Sequence, residues 1–394
     1  MKTIKPLHPF PARMAPEIVT SACAALPVGS TILDPMSGSG TVLRISSQCG
    51  HSSIGFDIDP LSVLLSKVWT TPIDTDALRK SSIKMLNEAI RTSYSDIHLP
   101  WLTDCDETKE FINFWFAEKQ KIQLTKLASL LNELQDPIGD ALRLSLSRLI
   151  ITKKRGASLA WDVSHSRPHK TRDTNDYDVL SEFDKSVAYV ARLLETQQPG
   201  GNTRIRLGDA RNLSQIKDGT IDAIITSPPY LNAIDYMRGH RMSLVWLGFT
   251  ISQLRQIRST MVGAERGPSD EVDSKLATKL CLKMGAVKSL PTNRRKMIVR
   301  YVQDILAIVK ETNRVLKPGG QAIFVVGNSQ HNEVFVKNTE ALKAAASFYS
   351  LKLISERERP LPNVRRYLPP PKADLKSDLK KRMRTEVICH FIRE

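Results

Sequence analysis

The sequence predicts an α/β protein built on a doubly wound sheet with a helical insertion. The first observation is that a strand-like stretch, TILDP (31–35), runs into the glycine-rich MSGSGT (36–41), a short helical stretch and a second strand, SSIGFDIDP (52–60). Strand, helix and strand in this order open such a sheet. The second observation is the apolar run TIDAIITSPPY (220–230). Its two prolines must lie beyond the strand, because proline cannot donate to a sheet ladder.

The remaining stretches extend this pattern. A helix is predicted at LSVLLSKVWTTP (61–72), and the span from 75 to 196 holds four stretches with the apolar spacing of helices, which we interpret as the helical insertion. The stretch 250–292 is basic and shows neither a clear helical nor a clear strand periodicity. Further predictions are a strand at TRIRLGDARNL (203–213), a helix at RGHRMSLVWLGF (238–249), a long helix at 294–316 closed by KPGG, and strands at 321–329, 350–361 and 386–392.

Composition and charge narrow the class of protein. The chain has 394 residues, 41% of them hydrophobic and 25% charged, which is ordinary for a globular protein. Its net charge of +16 favours a polyanionic partner, nucleic acid first, although a generally basic enzyme would share it. The five cysteines form no CxxC pair, so we expect neither a metal site nor a disulfide framework. No apolar stretch approaches the length of a membrane span, and we expect a cytoplasmic protein with no membrane partner.

The stretch DPMSGSGT (34–41) is a candidate ligand-binding turn. Gly38 and Gly40 let the backbone turn tightly and approach a ligand, and amides at a helix start attract carboxylates. An ordinary turn or a nucleotide-phosphate site would also fit, but neither a Gly-Lys-Ser/Thr ending nor a GxGxxG pattern is present. Asp57 stands where the second strand of such folds carries a ribose-binding carboxylate, whereas we expect Asp59 to cap the next helix. Asp209 can accept from an adenine amine or serve as a turn residue.

The two motifs DPMSGSGT and TSPPY together resemble the amino-group DNA methyltransferases that use S-adenosylmethionine, a family with a DPxxGSGT loop and an (Asp/Asn/Ser)-Pro-Pro-Tyr motif. HPFPARMAPEI (8–18) is similar to the element that helps enclose the methionine part of the cofactor in that family. The resemblance implies a Rossmann-like, mostly parallel sheet with an antiparallel last strand. It also implies that S-adenosylmethionine is bound by Phe10, Asp34, Pro35, Met36, Gly38, Ser39, Gly40, Thr41, Asp57, Ile58, Asp209 and Ala210.

The resemblance also implies a domain division. The catalytic domain would comprise 1–74 and 197–394, with 75–196 as the helical insertion that recognises the target and 250–292 as a variable basic insertion. Members of this family with serine at the first position of the (Asp/Asn/Ser)-Pro-Pro-Tyr motif often carry that motif before the cofactor loop. In this chain the cofactor loop comes first, and the target-recognition region is therefore expected in the helical insertion, with the stretch 250–292 as a further candidate.

The SPPY motif suits the chemistry of an exocyclic amine, whose lone pair is delocalised into the base ring. The Ser227 hydroxyl and the Pro228 carbonyl can accept from the amine, Pro229 holds the bend, and Tyr230 can stack on a base taken out of the helix. In this family a serine at the first position mostly goes with N4 of cytosine, which we prefer over N6 of adenine. An RNA base-amine methyltransferase and a catalytically silent DNA-binding protein are the remaining alternatives.

Basic residues downstream are candidate contacts to double-stranded DNA, because arginine and lysine neutralise phosphates without reading sequence. The alternative is a solvated basic loop and tail, and the same two interpretations apply to the loop 155–176. His240, Trp246 and the FINFWF run (111–116) are expected to be structural. Whether a restriction or phage-defence partner exists is left open. The predicted DNA contacts are Arg238, Arg241, Arg365, Arg366 and Tyr367.

Overall fold

The computed structural model describes residues 5–10, 13–151, 155–161, 168–196, 202–231, 235–263, 274–331, 334–361 and 385–394. The chain divides into two compact units. Unit 1 comprises 1–11, 59–199 and 235–258, and unit 2 comprises 12–58, 200–234 and 259–394.

The helices and strands of the two units have the following bounds. The α-helices are α1 (Pro16–Ala24), α2 (Thr41–Gln48), α3 (Pro60–Thr70), α4 (Thr75–Arg91), α5 (Pro100–Thr103), α6 (Asp106–Trp115), α7 (Glu118–Asn132), α8 (Pro137–Ile150), α9 (Val179–Thr196), α10 (Tyr236–Leu244), α11 (Ile251–Thr260), α12 (Ser274–Cys281), α13 (Thr292–Val315) and α14 (Asn338–Phe348). Short 3₁₀ turns lie at Tyr94–Asp96, Val245–Leu247, Leu282–Met284 and Val287–Ser289. The strands are β1 (Thr31–Asp34), β2 (Ser52–Asp57), β3 (Ala160–Trp161), β4 (His169–Lys170), β5 (Thr203–Leu207), β6 (Ile221–Thr226), β7 (Leu316–Val326), β8 (Ser329–His331), β9 (Val334–Val336), β10 (Leu351–Pro360) and β11 (Thr385–Arg393).

Unit 2 is built around one large sheet, and β8 and β9 form a separate two-stranded sheet. Within the described ranges the large sheet has seven strands in the order β10-β11-β7-β6-β1-β2-β5. The pairs β5–β2, β2–β1, β1–β6 and β6–β7 are parallel, and β11 is antiparallel to both of its neighbours. The predicted fold, a mostly parallel sheet with an antiparallel last strand, is confirmed.

The strand order reverses between β1 and β6. From β1 the chain moves outward through β2 to β5, and from β6 it moves the other way to β7. Ligands of such sheets bind beyond the carboxyl ends of the strands at this switch point. The two sequence motifs leave the sheet here, because DPMSGSGT begins at the end of β1 and SPPY follows the end of β6.

A buried core supports the sheet of unit 2. It joins β1, β6, β7 and β11 to α12, α13 and α14, and Tyr301 of α13 and Phe324 of β7 are fully buried in it. Apolar burial of this kind is the dominant favourable contribution to folding.

Unit 1 is helical. Its helices α4, α7, α8 and α9 pack on one another, and α3 and α10 pack on α8. Trp246 is 1% exposed and meets Phe116 edge to face at 5.1 Å. These two aromatic residues are core residues as predicted, whereas Phe114 of the same run is 52% exposed. No helix among the described residues is long and apolar enough to cross a membrane.

Two local features differ from the sequence prediction. The helix α1 has no counterpart in it, because a single short amphipathic turn after PFPARMA gives a weak periodic signal. The predicted closing turn KPGG lies inside the limits of β7, where the register with β6 shifts between Ile221 and Ala223. Gly319, at φ 74°, permits this irregularity.

Gly55 lets α2 pack close to β2, because it has no side chain. The glycine-rich turn leads directly into α2, so this packing also bears on the turn. A Cβ added at Gly55 would lie 2.5 Å from Leu43 Cδ1 and 2.8 Å from Ile205 Cδ1. We expect Gly55→Ala to lower the free energy of unfolding by roughly 1–3 kcal/mol through overpacking. Urea denaturation gives this value.

The double variant Gly55→Ala/Leu43→Ala is the control. Removing the Leu43 side chain makes room for the new methyl group, so the two losses should sum to clearly more than the loss measured for the double variant. Additive losses would show that the close approach of Leu43 is not the cause.

Candidate active site

The glycine-rich turn after β1 has the conformation that its glycines permit. Gly38 has φ 48° and Gly40 has φ 74°, in the left-handed region that other residues rarely adopt. Gly40 is the N-cap of α2, and its amide donates to the Ser37 carbonyl over 2.8 Å. The turn therefore brings backbone amides and a helix start to the end of β1.

The second strand ties this turn to Asp57. The Gly38 amide donates to Asp57 Oδ2 over 2.7 Å, and the Ser37 amide donates to the Phe56 carbonyl over 2.9 Å. Asp57 is half-buried at the end of β2, with the neighbouring Ile58 also half-buried. The carboxylate expected to bind the ribose thus already fixes the glycine turn.

Asp34, at the end of β1, links the two motifs. It is 2% exposed, and its Oδ1 accepts from Thr226 Oγ1 over 2.7 Å and from the Met36 amide over 3.2 Å. Burial raises the pKa of Asp34 to about 7, against the two hydrogen bonds that lower it, and the charge of Asp57 adds to the rise. Thr226 is the residue before Ser227, so this contact fixes where the SPPY loop leaves the sheet.

Ser227 faces both the sheet and the loop. Its hydroxyl donates to the Val325 carbonyl of β7 over 3.0 Å, and its oxygen lies 3.5 Å from the Tyr230 hydroxyl. Pro228 is buried and Pro229 half-buried. The serine side chain is therefore oriented by the neighbouring strand rather than left to rotate.

Tyr230 is half-buried at the end of the motif. Burial is the largest cause that raises the pKa of its hydroxyl, and the Glu386 carboxylate raises it further by charge and hydrogen bonding, while Ser227 and Arg359 act in the opposite direction. The phenol accordingly keeps its proton at any pH at which the protein works.

Asp209, beyond β5, is engaged by its neighbour. The Arg211 Nε donates to both carboxylate oxygens, at 2.9 and 3.1 Å. Arg211 also pairs with Asp304 over 2.6 Å. Asp209 Oδ1 further accepts from the Arg211 amide, as a turn residue does, and Ala210 is buried. An adenine amine would therefore have to share an oxygen with Arg211.

In unit 1, Asp59 is the N-cap of α3 as predicted, because its Oδ1 accepts from the Leu61 amide over 2.9 Å. Its other oxygen accepts from the ring of buried His240, which supports a structural part for that histidine. The Phe10 ring lies 5.5 Å from the Tyr236 ring and nearly parallel to it, and 5.3 Å from the His240 ring. Phe10 is thus one member of an aromatic cluster.

Two arginine side chains lie close to the Asp235 carboxylate, at the start of α10. Asp235 accepts from Arg258 Nη2 over 2.6 Å and lies 3.4 Å from Arg238 Nε. The Arg241 guanidinium is 5.1 Å from the Phe111 ring centroid. Burial is the largest cause that lowers the pKa of Arg241, and the positive charges of Arg258 and Arg238 lower it further. The negative charge of Asp235 acts in the opposite direction. Unit 1 therefore carries a local excess of positive charge here.

The structure brings together Asp34, the glycine turn, Asp57, Ser227 and Tyr230 within unit 2. The three predicted DNA contacts Arg365, Arg366 and Tyr367 lie outside the described residues. The sequence prediction missed Thr226, which donates to Asp34, and Glu386, whose charge acts on the Tyr230 hydroxyl. Thr226 alone had a local signal, its position next to the motif. Within the described ranges no group of three or more His, Cys, Asp or Glu side chains is arranged to hold a metal ion.

Comparison with known proteins gives relatives of one kind. The chain is 25% identical over 390 residues to the Type II methyltransferase M.MvaI of Kocuria varians, covering 91% of this chain and 84% of that protein. It is 25% identical over 270 residues to the Type II methyltransferase M.BsoBI of Geobacillus stearothermophilus, covering 59% of this chain and 50% of that protein. No protein-family model matches it.

A solved structure of a SAM-dependent methyltransferase from Methanosarcina mazei covers 97% of this chain and 99% of its own, at 10% identity and a TM-score of 0.34. A score this low adds nothing to the fold assignment, which rests on the strand order. The sequence relatives confirm the resemblance carried by the two motifs: the chain is related to the Type II methyltransferases over most of its length.

The buried Asp34 makes stability depend on pH. Because its pKa is about 7 in the folded protein and ordinarily 3.8, the folded protein holds a proton that the unfolded chain has lost. The Asp34 contribution to the free energy of unfolding therefore falls as pH rises from about 4 to about 7, by a few kcal/mol in all. We expect the stability of Asp34→Asn relative to the unchanged protein to increase from about pH 5 to about pH 8 in urea denaturation.

Asp222→Asn is the matched control. Although burial opposes the shift, the Lys317 ammonium and the Thr31 amide lower the pKa of Asp222. Its contribution is constant above about pH 5, so the stability difference of this variant should not change over the same range. A parallel pH trend in both variants would contradict the assignment to Asp34.

Proposed function

We propose that the protein is a DNA methyltransferase that transfers a methyl group from S-adenosylmethionine to the N4 amine of cytosine. The observation that carries this proposal is the hydrogen bond between Thr226 and Asp34. It joins the start of the SPPY loop to the start of the glycine turn at the switch point of the sheet, where a methyl donor and an acceptor base would have to meet. The relationship to Type II methyltransferases supports the same activity.

The glycine turn and Asp57 fit the proposed cofactor. The glycines at positive φ permit the tight turn, the start of α2 offers amides to the methionine carboxylate, and Asp57 offers an acceptor to the ribose hydroxyls. S-adenosylmethionine supplies an electrophilic methyl group when bound. In this proposal Asp34, Pro35, Met36, Ser39, Thr41 and Ile58 bind the same cofactor, and Asp209 and Ala210 bind its adenine. Phe10 is a proposed contact to its methionine part on the family resemblance alone.

The SPPY residues would prepare the amine. Because the Ser227 proton is donated to Val325, the serine oxygen keeps lone pairs that can accept one amine hydrogen. The Pro228 carbonyl can accept the other, which favours a pyramidal nitrogen with its lone pair available. The rings of Pro228 and Pro229 hold the loop, and the Tyr230 ring stacks on the base. Catalysis would then come from positioning and charge placement.

The choice of base rests on Ser227, since serine at this position mostly accompanies cytosine N4 in the family that the motifs resemble. Adenine N6 is the second candidate, because the loop order differs from that of many serine-type members. The region 75–196, with 250–292, is the proposed target-recognition region. Arg238 and Arg241, together with Arg365, Arg366 and Tyr367, are the proposed contacts to double-stranded DNA.

A transfer assay tests the activity and the base together. Purified protein is incubated with methyl-labelled S-adenosylmethionine and DNA of mixed sequence, and the DNA is digested to nucleosides that are separated and identified. We expect label in N4-methylcytosine. Label in N6-methyladenine would overturn the base assignment alone, and unlabelled DNA would overturn the proposed activity.

Ser227→Ala should reduce this transfer about 100-fold or more, because the amine loses one of its two acceptors. The melting-temperature rise caused by S-adenosylmethionine should persist in the variant, since the cofactor turn is unchanged. Ser214→Ala, which removes an exposed hydroxyl elsewhere in unit 2, is the control and should transfer normally. Equal rates for both variants would exclude Ser227 from catalysis.

Replacing Arg238 and Arg241 should change the salt dependence of DNA binding. Each phosphate contact contributes about 0.9 to the slope of log K against log salt. We expect Arg238→Ala/Arg241→Ala to lower this slope by about 1–2, with binding weakened on every DNA sequence. Fluorescence anisotropy at several salt concentrations measures it.

Arg204→Ala/Arg206→Ala is the matched control, because it removes the same charge from the exposed edge strand β5. Its slope should stay close to that of the unchanged protein. If both double variants lose slope equally, the effect is one of net charge, and the α10 arginines are not specific phosphate contacts.

A further inference from the structure

The Arg211 side chain joins three segments of unit 2. Its Nε donates to both oxygens of Asp209 over 2.9 and 3.1 Å, and its Nη2 donates to Asp209 Oδ2 over 2.5 Å. Its Nη1 donates to Asp304 of α13 over 2.6 Å. Its Nη2 also donates to the carbonyl of Thr260, the last residue of α11, over 2.5 Å. Almost all N–H donors of the guanidinium are therefore used within the protein.

Asp304 extends these contacts to the segment 259–263. Its side chain is 7% exposed as a residue, and its second oxygen, Oδ2, accepts from the Gly263 amide over 3.0 Å. Val262 of the same segment packs against the core of unit 2. A buried carboxylate is tolerated in a fold when it is paired and hydrogen-bonded. Arg211 and Asp304 together therefore hold the segment 259–263 in place.

Asp209 keeps acceptor capacity while it is bound to Arg211. A carboxylate offers about four lone-pair sites. Within the described part of the chain, its donors are the backbone amide, Nε and Nη2 of Arg211. Since these three donors occupy about three of the sites, room is left for one more hydrogen. An adenine amine can therefore donate to Asp209 without displacing Arg211.

We propose that Arg211 is a positioning residue that couples recognition of the cofactor's adenine amine at Asp209 to the order of the segment 259–263. The proposal rests on the adenine-binding role of Asp209 stated above and deepens it. An amine that donates to Asp209 favours the rotamer that Arg211 already holds, and so stabilises the bonds of Arg211 to the segment. Because coupling is reciprocal, the ordered segment in turn favours adenine binding. A bound cofactor thereby orders part of the stretch 250–292, which is proposed for target recognition.

Two ligands separate the adenine amine from the rest of the cofactor. S-adenosylhomocysteine carries the amine, whereas S-inosylhomocysteine carries a carbonyl oxygen in its place and cannot donate to Asp209. By isothermal titration calorimetry we expect the unchanged protein to bind the adenosyl ligand about tenfold or more tightly than the inosyl ligand. At saturation the adenosyl ligand should also slow hydrogen exchange of peptides that contain Gly263 more than the inosyl ligand does.

Arg211→Lys is the test variant, because lysine keeps the positive charge but cannot bind both carboxylates and the Thr260 carbonyl together. We expect the ratio of the two affinities to fall about tenfold and the extra protection of Gly263 to disappear. A merely structural Arg211 would weaken both ligands equally and leave the ratio unchanged. If this variant does not fold, Asp304→Asn takes its place, because it weakens the same connection and leaves Asp209 and Arg211 present.

Arg314→Lys is the matched control. Arg314 lies on the same helix as Asp304, pairs with Glu311 over 2.7 Å, and donates to the carbonyls of Leu213 and Ile216 over 2.8 and 2.9 Å. It thus ties α13 to the chain that follows β5 by contacts of the same kind, and its partners do not include the adenine acceptor. The affinity ratio and the exchange difference should stay unchanged in this variant.

The two measurements together decide the outcome. An affinity ratio and an exchange difference that fall in Arg211→Lys but not in Arg314→Lys support the proposal. Unchanged values in Arg211→Lys, or equal losses in both variants, overturn it. Equal affinity of the unchanged protein for the two ligands overturns this proposal alone, whereas binding of neither ligand overturns the proposed methyltransferase function as well.

Discussion

The hydrogen bond from Thr226 to Asp34 is the constraint on which the site depends. It crosses between two parallel strands where the order of the sheet reverses, and it is fully removed from water. Neighbouring strand ends can differ in length and direction, yet this contact sets the distance between the loop that would hold the methyl donor and the loop that would hold the base. A reaction that depends on positioning needs such a fixed distance.

Hydrogen bonds within the protein hold the residues of the site in place. Asp57 fixes the glycine turn, and the Val325 carbonyl orients the Ser227 hydroxyl. Keeping Asp34 uncharged and buried costs stability at neutral pH, as its raised pKa shows. Costs of this kind concentrate where a fold has to hold chemistry in place, and the large apolar core of unit 2 offsets them.

The sequence was sufficient for features whose signal is local. The glycine turn, the strand before SPPY and the cap at Asp59 follow from neighbouring residues, because turn conformations, prolines and caps act over a few positions. The partners of these residues could not be predicted, since Thr226 meets Asp34 across 192 positions and Arg359 meets Glu17 across 342. Asp209 was ambiguous for the same reason, as its environment depends on an arginine that also binds Asp304.

These long sequence separations also have a kinetic meaning. Contacts between distant positions form slowly, because the chain must close large loops before they add stability. The helix α2 and the pairing of β1 with β2 need only short stretches of chain. The ion pairs of Arg359 in β10 with Glu17 of α1 and with Glu386 of β11 form only when α1 and the antiparallel last strand have come together. During refolding, helical signal should therefore return well before the active geometry, and recovered activity would report the last step of assembly.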